Sequence, residues 1–425
     1  MRRGDRVKRR SRLGRLCGWI GLVTTLASSS LSAAEYAVSG QRIFQDGVEV
    51  QLFGVNWFGA ETQDHVVHGL WTRNYQDMID QMGGLGLNAV RLPVCPATLE
   101  DVVPSSINYG ANPSLQGMRS LEVFDQVVGA LDAAGIHILI DHHRPDCDAI
   151  SELPAIPGYT QADWIEDLVF VVTRYRDVEY FMGIDLKNEP HGQATWGTGN
   201  ATTDWDLAAE TAAAAVLAAN PDVLIFVEGV AQNPVCSSSG PHWWGGNLEP
   251  EACAPLDIPA DRLVFSPHVY GPDVFEQPYF DEPTFPENLP GIWTTHFGFL
   301  ADQGRILAPG EFGGRYGHAG DPRDVVWQDR LVDYFIEKQI CHFFYWSWNP
   351  NSGDTGGLLQ DDWSTVWQDK TDNLGRLMSA CETARGEPAS VPLFPPGGVG
   401  CLAVLLIGAG ASTLRSEGWG PRRRE

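Results

Sequence analysis

Eight short β-rich runs, each separated from the next by room for a helix, constrain this chain more than any other feature. They fall at residues 51–55, 88–92, 136–140, 181–186, 223–227, 263–266, 305–308 and 342–346. Between them lie apolar positions at helical spacing, over 121–134, 164–174, 205–219 and 325–338, with stop signals such as Gly135 and Asn220-Pro221. Strand and helix alternating over this length predict parallel β/α architecture. Eight repeats is the count of a (β/α)₈ (TIM) barrel, which needs roughly 250 residues or more. An open doubly wound sheet shares the alternation, but no Gly-x-Gly-x-x-Gly follows the first strand. With no internal repeat and no long Pro/Ser/Thr linker before residue 390, one domain is expected and no separate carbohydrate-binding module.

Both ends read as processing segments. Residues 1–15 hold eight Arg/Lys, an apolar run follows over 16–27, and Ser32-Ala33-Ala34 offers small residues for cleavage. This is the pattern of a secretory leader, and about 12 apolar residues are too few to span a bilayer. Arg9-Arg10 with Leu13 hints at twin-arginine export, an ordinary Arg-rich leader being the alternative. Val391-Pro392-Leu393-Phe394-Pro395-Pro396-Gly397-Gly398 leads into an apolar stretch to about residue 411, and Arg422-Arg423-Arg424 closes the chain. That tail resembles the tripartite sorting signals of bacterial surface proteins, an ordinary hydrophobic tail being the alternative. The expected plan is a leader over 1–34, a domain over 35–390 and a sorting-like tail over 391–425. The protein is expected outside the cell, tied to its surface if sorting machinery acts on the tail.

Setting the ends aside sharpens the charge. They hold twelve of the 29 basic residues and three of the 54 acidic ones, which leaves 17 against 51, or about −34 for residues 35–390. Nucleic acid is excluded as a partner, and such acidity suits a protein whose self-repulsion salt screens. Cys95, Cys147, Cys236, Cys253, Cys341 and Cys381 remain in this span. Six cysteines in an exported chain predict disulfides. Fifteen pairings are open to sequence alone; barrel geometry favours Cys95 with Cys147, Cys236 with Cys253, and Cys341 with Cys381. No Cys-x-x-Cys or His-x-x-x-His spacing argues for zinc.

In such a barrel chemistry gathers at the C-terminal strand ends, where loops converge on one mouth. The residues there are Asn56 and Trp57, Arg91, Asp141-His142-His143, Asn188-Glu189, Glu228, His268 and Tyr270, Glu311, and Trp346 with Trp348. Carboxylates, amides, imidazoles and aromatics together point to sugar. Glycosidic hydrolysis needs one carboxyl to protonate the leaving oxygen and another to attack or to activate water. Glu189 and Glu311, on nearly opposite strands, meet that need.

These segments resemble glycoside hydrolase family 5. Ile184-Asp185-Leu186-Lys187-Asn188-Glu189-Pro190 is similar to that family's acid/base signature, and Pro309-Gly310-Glu311-Phe312-Gly313 to its nucleophile strand. The resemblance covers most of residues 40–380. It takes in Val55-Asn56-Trp57-Phe58-Gly59, Arg91-Leu92-Pro93, Asp141-His142-His143-Arg144-Pro145, His268-Val269-Tyr270 and Phe344-Tyr345-Trp346-Ser347-Trp348-Asn349-Pro350. It implies that Glu189 donates the proton and Glu311 forms a glycosyl-enzyme intermediate. Asn188 would hold the sugar 2-hydroxyl, Arg91 would sit under Glu311 and favour its ionised form, and Tyr270 would donate to Glu311. His143 and His268 would line the cleaved-sugar subsite, Trp346 would stack on a glucosyl ring, and Asn56 and Trp57 would support the site. His142 departs from the family, where an arginine stands beside the functional histidine, and His143 is taken as the cleft residue.

Trp243-Trp244-Gly245-Gly246-Asn247-Leu248 and Ser352-Gly353-Asp354-Thr355-Gly356-Gly357 resemble the bacterial endoglucanase branch in particular. That branch implies a monomeric, retaining endo-β-1,4-glucanase acting on polysaccharide without metal or cofactor. Two alternatives stand beside it: a β-mannanase or other β-glycanase of the same fold, and a surface carbohydrate-binding protein without catalysis. Duller roles also stand beside single residues. Glu228 ends a strand as Glu311 does, Trp57, Trp243, Trp244 and Trp348 fit core or cleft alike, and Trp164 and Trp205 are expected to pack within helices.

Overall fold

The computed structural model describes residues 34–236 and 240–385. The expected leader, apart from Ala34, and the expected tail lie outside the described residues.

The described chain opens with a small antiparallel sheet of β1 (Tyr36–Ser39), β2 (Arg42–Gln45) and β3 (Val48–Val50). Asp46-Gly47 joins the last two with φ of 51° and 76°. Two positive φ angles are what a two-residue hairpin loop requires to match the strand twist. Hydrophobic periodicity does not reveal this sheet, because strands of three or four residues present too few alternating positions for a period to register.

The main sheet is parallel throughout, in the order β10-β4-β5-β6-β7-β8-β9. Its strands are β4 (Phe53–Asn56), β5 (Ala89–Val94), β6 (His137–His142), β7 (Phe181–Asp185), β8 (Leu224–Val227), β9 (Leu263–Phe265) and β10 (Phe343–Tyr345). The expected strand at 305–308 does not form a regular ladder. Residues 305–312 fill the place between β9 and β10 through single bridges, Phe265 to Leu307 and Phe312 to Tyr345. The Ala308 amide donates to Phe265 O at 2.9 Å and the Phe344 amide to Pro309 O at 2.9 Å. Pro309 has no N–H to return and Gly310 no side chain to pack, so the regular ladder is interrupted at Pro309-Gly310 and pairing resumes with the His268 to Glu311 bridge. With that segment in place the curled sheet has the eight positions of a (β/α)₈ barrel.

Period-two alternation sorts the strand residues into two cores. Val90, Leu92, Ile225 and Val227 face outward and pack with the helices. Ala89, Leu139, Leu224 and Phe226 face the barrel interior, which Tyr36, Val38 and Ile43 of the small sheet close from the N-terminal end. Two residues further along the same strands the inward positions are Arg91, Asp141 and Glu228. The interior therefore turns from apolar to charged toward the C-terminal mouth.

The helices hold those strand ends in place. Thr160 and Asp163 cap the helix Gln161–Arg174 reciprocally, and Trp164, Leu168, Val171 and Val172 form its buried face. Alanines 208, 209, 212 and 213 line the inner side of the helix Trp205–Ala219. Trp164 and Trp205 are packing residues as expected, at 0% and 1% exposure. Their indole N–H groups also donate to Leu186 O and Glu228 O, both at 2.8 Å, and so fix the ends of β7 and β8. Disulfides join Cys95 to Cys147, Cys236 to Cys253 and Cys341 to Cys381. The first ties the segment after β5 to the one after β6, at the mouth.

Candidate active site

Arg91 is the centre of the charged layer and is fully buried. Its Nη1 donates to Glu311 Oε1 at 2.7 Å and to Asn56 Oδ1 at 3.0 Å. Its Nε donates to Asp185 Oδ2 at 3.1 Å, and its Nη2 to Asn188 Oδ1 at 3.1 Å and Glu228 Oε1 at 3.3 Å. Asp141 Oδ2 lies 3.1 Å from the same Nη2. One guanidinium thus faces four carboxylates, which its planar fork of five N–H donors permits and a lysine would not.

A single cation cannot keep four buried carboxylates ionised. Asp141 is held below the usual carboxylate range by Arg91 and His143, although burial opposes its charge. Asp185 and Glu228 are pushed well above that range, by burial first and then by their acidic neighbours. Burial also raises Glu311, to about 7, while Arg91 and the Tyr270 hydroxyl pull it down. Arg91 does favour the ionised nucleophile candidate, as expected, but burial outweighs it. Glu189 is driven well above the carboxylate range by burial and then by the Glu311 charge. Burial thus raises both glutamates, and the charge on Glu311 raises Glu189 further.

Glu189 follows β7 with φ 52°, a left-handed backbone that a non-glycine residue adopts only when its surroundings impose it. Its N–H donates to Glu228 Oε2 at 2.8 Å, and His191 Nδ1 lies 2.6 Å from its carbonyl oxygen. Its carboxylate Oε1 is 3.2 Å from His268 Nδ1. Carboxylate oxygens of Glu189 and Glu311 lie within 4.8 Å of each other, with His268 beside both. Tyr270 donates to Glu311 Oε2 at 2.6 Å.

A cleft of about 860 Å³ opens over this pair. Glu189, Glu311, Tyr270, His143 and Trp346 line it. Asn56, Arg91, Asn188 and His268 are fully buried beneath its floor. His143, bonded through Nδ1 to Asp141 Oδ2 at 2.6 Å, takes the cleft position, while His142 turns away to Tyr159 Oη at 2.9 Å. The Asn188 Nδ2 has no hydrogen-bond partner among the described residues. Trp57 requires a correction. It is fully buried, donates from Nε1 to His68 O, and belongs to the outer core. Strand parity explains this, since Asn56 faces inward and its neighbour must face out. Phe58 lines the cleft instead, flat against Trp346 at 5.3 Å and 9°. Trp348 is also fully buried, whereas Trp243 and Trp244 line the cleft.

Several participants carry little or no signal in the sequence. Glu228 reads there as one more strand-end acid, yet it bonds both Arg91 and the Glu189 amide. Asp185 and Lys187 do leave a trace, as polar residues alternating along an otherwise apolar strand. Glu61, buried with Oε2 accepting from Gly59 N at 2.6 Å, faces the cleft from the loop after β4, and no spacing signals it.

Comparison with known proteins bears on what this geometry does. Residues 45–352 match the family model described as Cellulase (glycosyl hydrolase family 5). The chain is 54% identical over 366 residues to the major extracellular endoglucanase of Xanthomonas campestris pv. campestris, spanning 85% of this chain and 75% of that protein. It is 44% identical to an endoglucanase of Paenibacillus polymyxa, over 84% of this chain and 90% of that one. The solved catalytic domain of the Xanthomonas enzyme superposes with a TM-score of 0.79 at 57% identity, covering 81% of this chain and all of that domain. An endocellulase from Pyrococcus horikoshii, solved as a complex with cellotetraose, superposes at 0.80 with 46% identity, over 82% of this chain and 99% of that one.

Proposed function

The chain belongs to the cellulase family, glycosyl hydrolase family 5, and on that footing we propose that Glu189 and Glu311 carry out retaining hydrolysis of β-1,4-glucosidic bonds. The protein is a glycoside hydrolase of the endoglucanase type, acting on cellulose and related β-glucans. Glu311 is the nucleophile and Glu189 the acid/base. The observation that carries the assignment is their spacing. Retaining enzymes hold the two carboxyls about 5–5.5 Å apart, and inverting enzymes leave roughly 6.5–9.5 Å for a water. Oxygens within 4.8 Å support direct attack.

In the first step the Glu311 carboxylate attacks the anomeric carbon while Glu189 gives its proton to the departing glycosidic oxygen. The C–O bond breaks, a glycosyl ester forms on Glu311, and Glu189 is left ionised. In the second step Glu189 takes a proton from water, whose oxygen displaces the Glu311 carboxylate from the sugar. Arg91 and Tyr270 stabilise Glu311 in its charged forms at both ends of this cycle. The free Asn188 Nδ2 is available to the sugar 2-hydroxyl, a contact that strengthens as charge develops on the ring. Trp346, His143 and Phe58 offer stacked ring faces for a glucosyl unit. Residues 35–390 form the catalytic unit, exported by the leader, with the tail read by sorting machinery. Finding residues 422–425 in secreted mature protein by mass spectrometry would argue against removal of that tail.

Loss of viscosity and release of reducing ends from carboxymethyl-cellulose test the activity. A fast viscosity drop is expected; turnover of mannan alone, or binding without turnover, would replace the substrate or the catalytic reading. Two substitutions separate the roles. Glu189→Ala should lower kcat/KM on cellotetraose by about 10²- to 10⁴-fold yet spare 2,4-dinitrophenyl β-cellobioside, whose leaving group needs no proton. Tyr270→Phe removes a donor that lowers the Glu311 pKa. Activity needs Glu311 ionised and is lost as pH falls through its pKa of about 7, so the acid limb of the kcat/KM profile should move to higher pH. An unmoved limb would remove Tyr270 from this role.

A further inference from the structure

The Glu189 backbone is gripped at both its N–H and its carbonyl, and the second grip comes from a residue with no assigned role. His191 Nδ1 sits 2.6 Å from Glu189 O. The imidazole is buried, and burial lowers its pKa, so a neutral ring with the proton on Nδ1 donates to that carbonyl. The opposite resource of the ring is its face. It lies flat on the Trp244 indole at a centroid distance of 3.7 Å and an interplanar angle of 5°. Trp244 is 48% exposed and lines the cleft, so its other face is open to a sugar.

Trp244 belongs to the acid/base side of the cleft. The adjoining Gly245 donates to Pro190 O at 3.4 Å, and a Cβ on Gly245 would come within 3.4 Å of the Glu189 Cα. Phe58 and Trp346, the other aromatic face, belong to the nucleophile side, since the Trp346 amide donates to Phe312 O beside Glu311. A glucosyl unit beyond the scissile oxygen, on the leaving side, therefore meets Trp244. The loops after β7 and β8 meet at this point, through the His191 ring stacked on Trp244 and the Gly245 to Pro190 hydrogen bond.

We propose that His191 is a positioning residue for the acid/base, carrying the sugar platform Trp244 on one face and fixing the Glu189 backbone through Nδ1. Leaving-side binding and proton delivery then share one rigid element. The proposal rests on Glu189 being the acid/base. His191 touches neither substrate nor the reacting atoms; it acts through its two neighbours.

Two variants divide the functions of the ring. His191→Phe keeps an aromatic face under Trp244 and loses the hydrogen bond. His191→Asn has an amide that reaches the Nδ1 position and loses the stack. Misplacing a catalytic group by about 1 Å can cost roughly 100-fold, so His191→Phe should lower kcat/KM on cellotetraose by about 10- to 100-fold. On 2,4-dinitrophenyl β-cellobioside, which leaves without protonation, kcat/KM should stay within about twofold. His191→Asn should recover most of the kcat lost on cellotetraose in His191→Phe and instead raise KM by about 2- to 10-fold, the worth of one aromatic pair. Equal losses on both substrates in His191→Phe, or none on cellotetraose, would overturn the proposal. Glu189→Ala measured alongside separates the two readings. If it shows no dependence on leaving group, the acid/base assignment fails; if it shows that dependence and His191→Phe does not, only the role of His191 fails.

Discussion

Glu311→Ala should lower kcat/KM on cellotetraose by about 10⁴- to 10⁶-fold, the scale seen when a nucleophile is deleted, with cellotetraose binding changed less than about tenfold. Binding survives because the ring faces of Trp346, His143 and Trp244 do not depend on Glu311. The fold survives because Arg91 keeps Asp141, Asp185 and Glu228 as partners. Calorimetric titration beside steady-state rates checks both halves, and near-normal turnover would sink the nucleophile assignment.

Arg91→Met should cost more than activity. It removes the guanidinium that pairs with Asp141, Asp185, Glu228 and Glu311 in the charged layer under the cleft. Deleting one side of a buried ionic set costs about 3–5 kcal/mol, because the remaining charges are left without compensation. The pH dependence follows from the same loss. Without Arg91 the carboxyls are forced toward their neutral forms in the folded state, while the unfolded chain ionises them above about pH 4. Folding must then carry bound protons that the unfolded chain releases, so stability relative to the parent falls as pH rises. Melting temperatures should differ more at pH 7 than at pH 4. Equal differences at both would mean that packing, not charge, is what Arg91 supplies. Arg91→Lys should not restore the parent, because an ammonium cannot place donors on Glu311, Asp185 and Glu228 together.

Much of this site is legible in the amino-acid sequence, because barrel strands carry their chemistry in register. Parity along β5 and β8 puts Arg91 and Glu228 inward, and the strand-end residues read from the sequence include every residue found around the guanidinium except Asp185, which closes β7. The departures have local causes. Trp57 follows Asn56 in the chain and shares its motif, but neighbouring strand residues face opposite sides. The β-rich run at 305–308 predicts a regular strand, yet Pro309-Gly310 interrupts its ladder just before Glu311 at the mouth. A neighbouring arginine predicts a readily ionised Glu311, and burial, which no spacing reports, exceeds it. Contacts between loops are the least legible. The flat stack of His191 on Trp244 joins segments more than fifty residues apart, and nothing in either segment announces the other.

The most direct test of the account is covalent trapping. Incubation with 2,4-dinitrophenyl 2-deoxy-2-fluoro-β-cellobioside slows both steps but the second more, so the glycosyl-enzyme accumulates. Intact mass should rise by one fluorocellobiosyl unit, and fragmentation should place the label on Glu311. No adduct on an enzyme that turns over cellotetraose, or a label on Glu228 or Glu189, would contradict it.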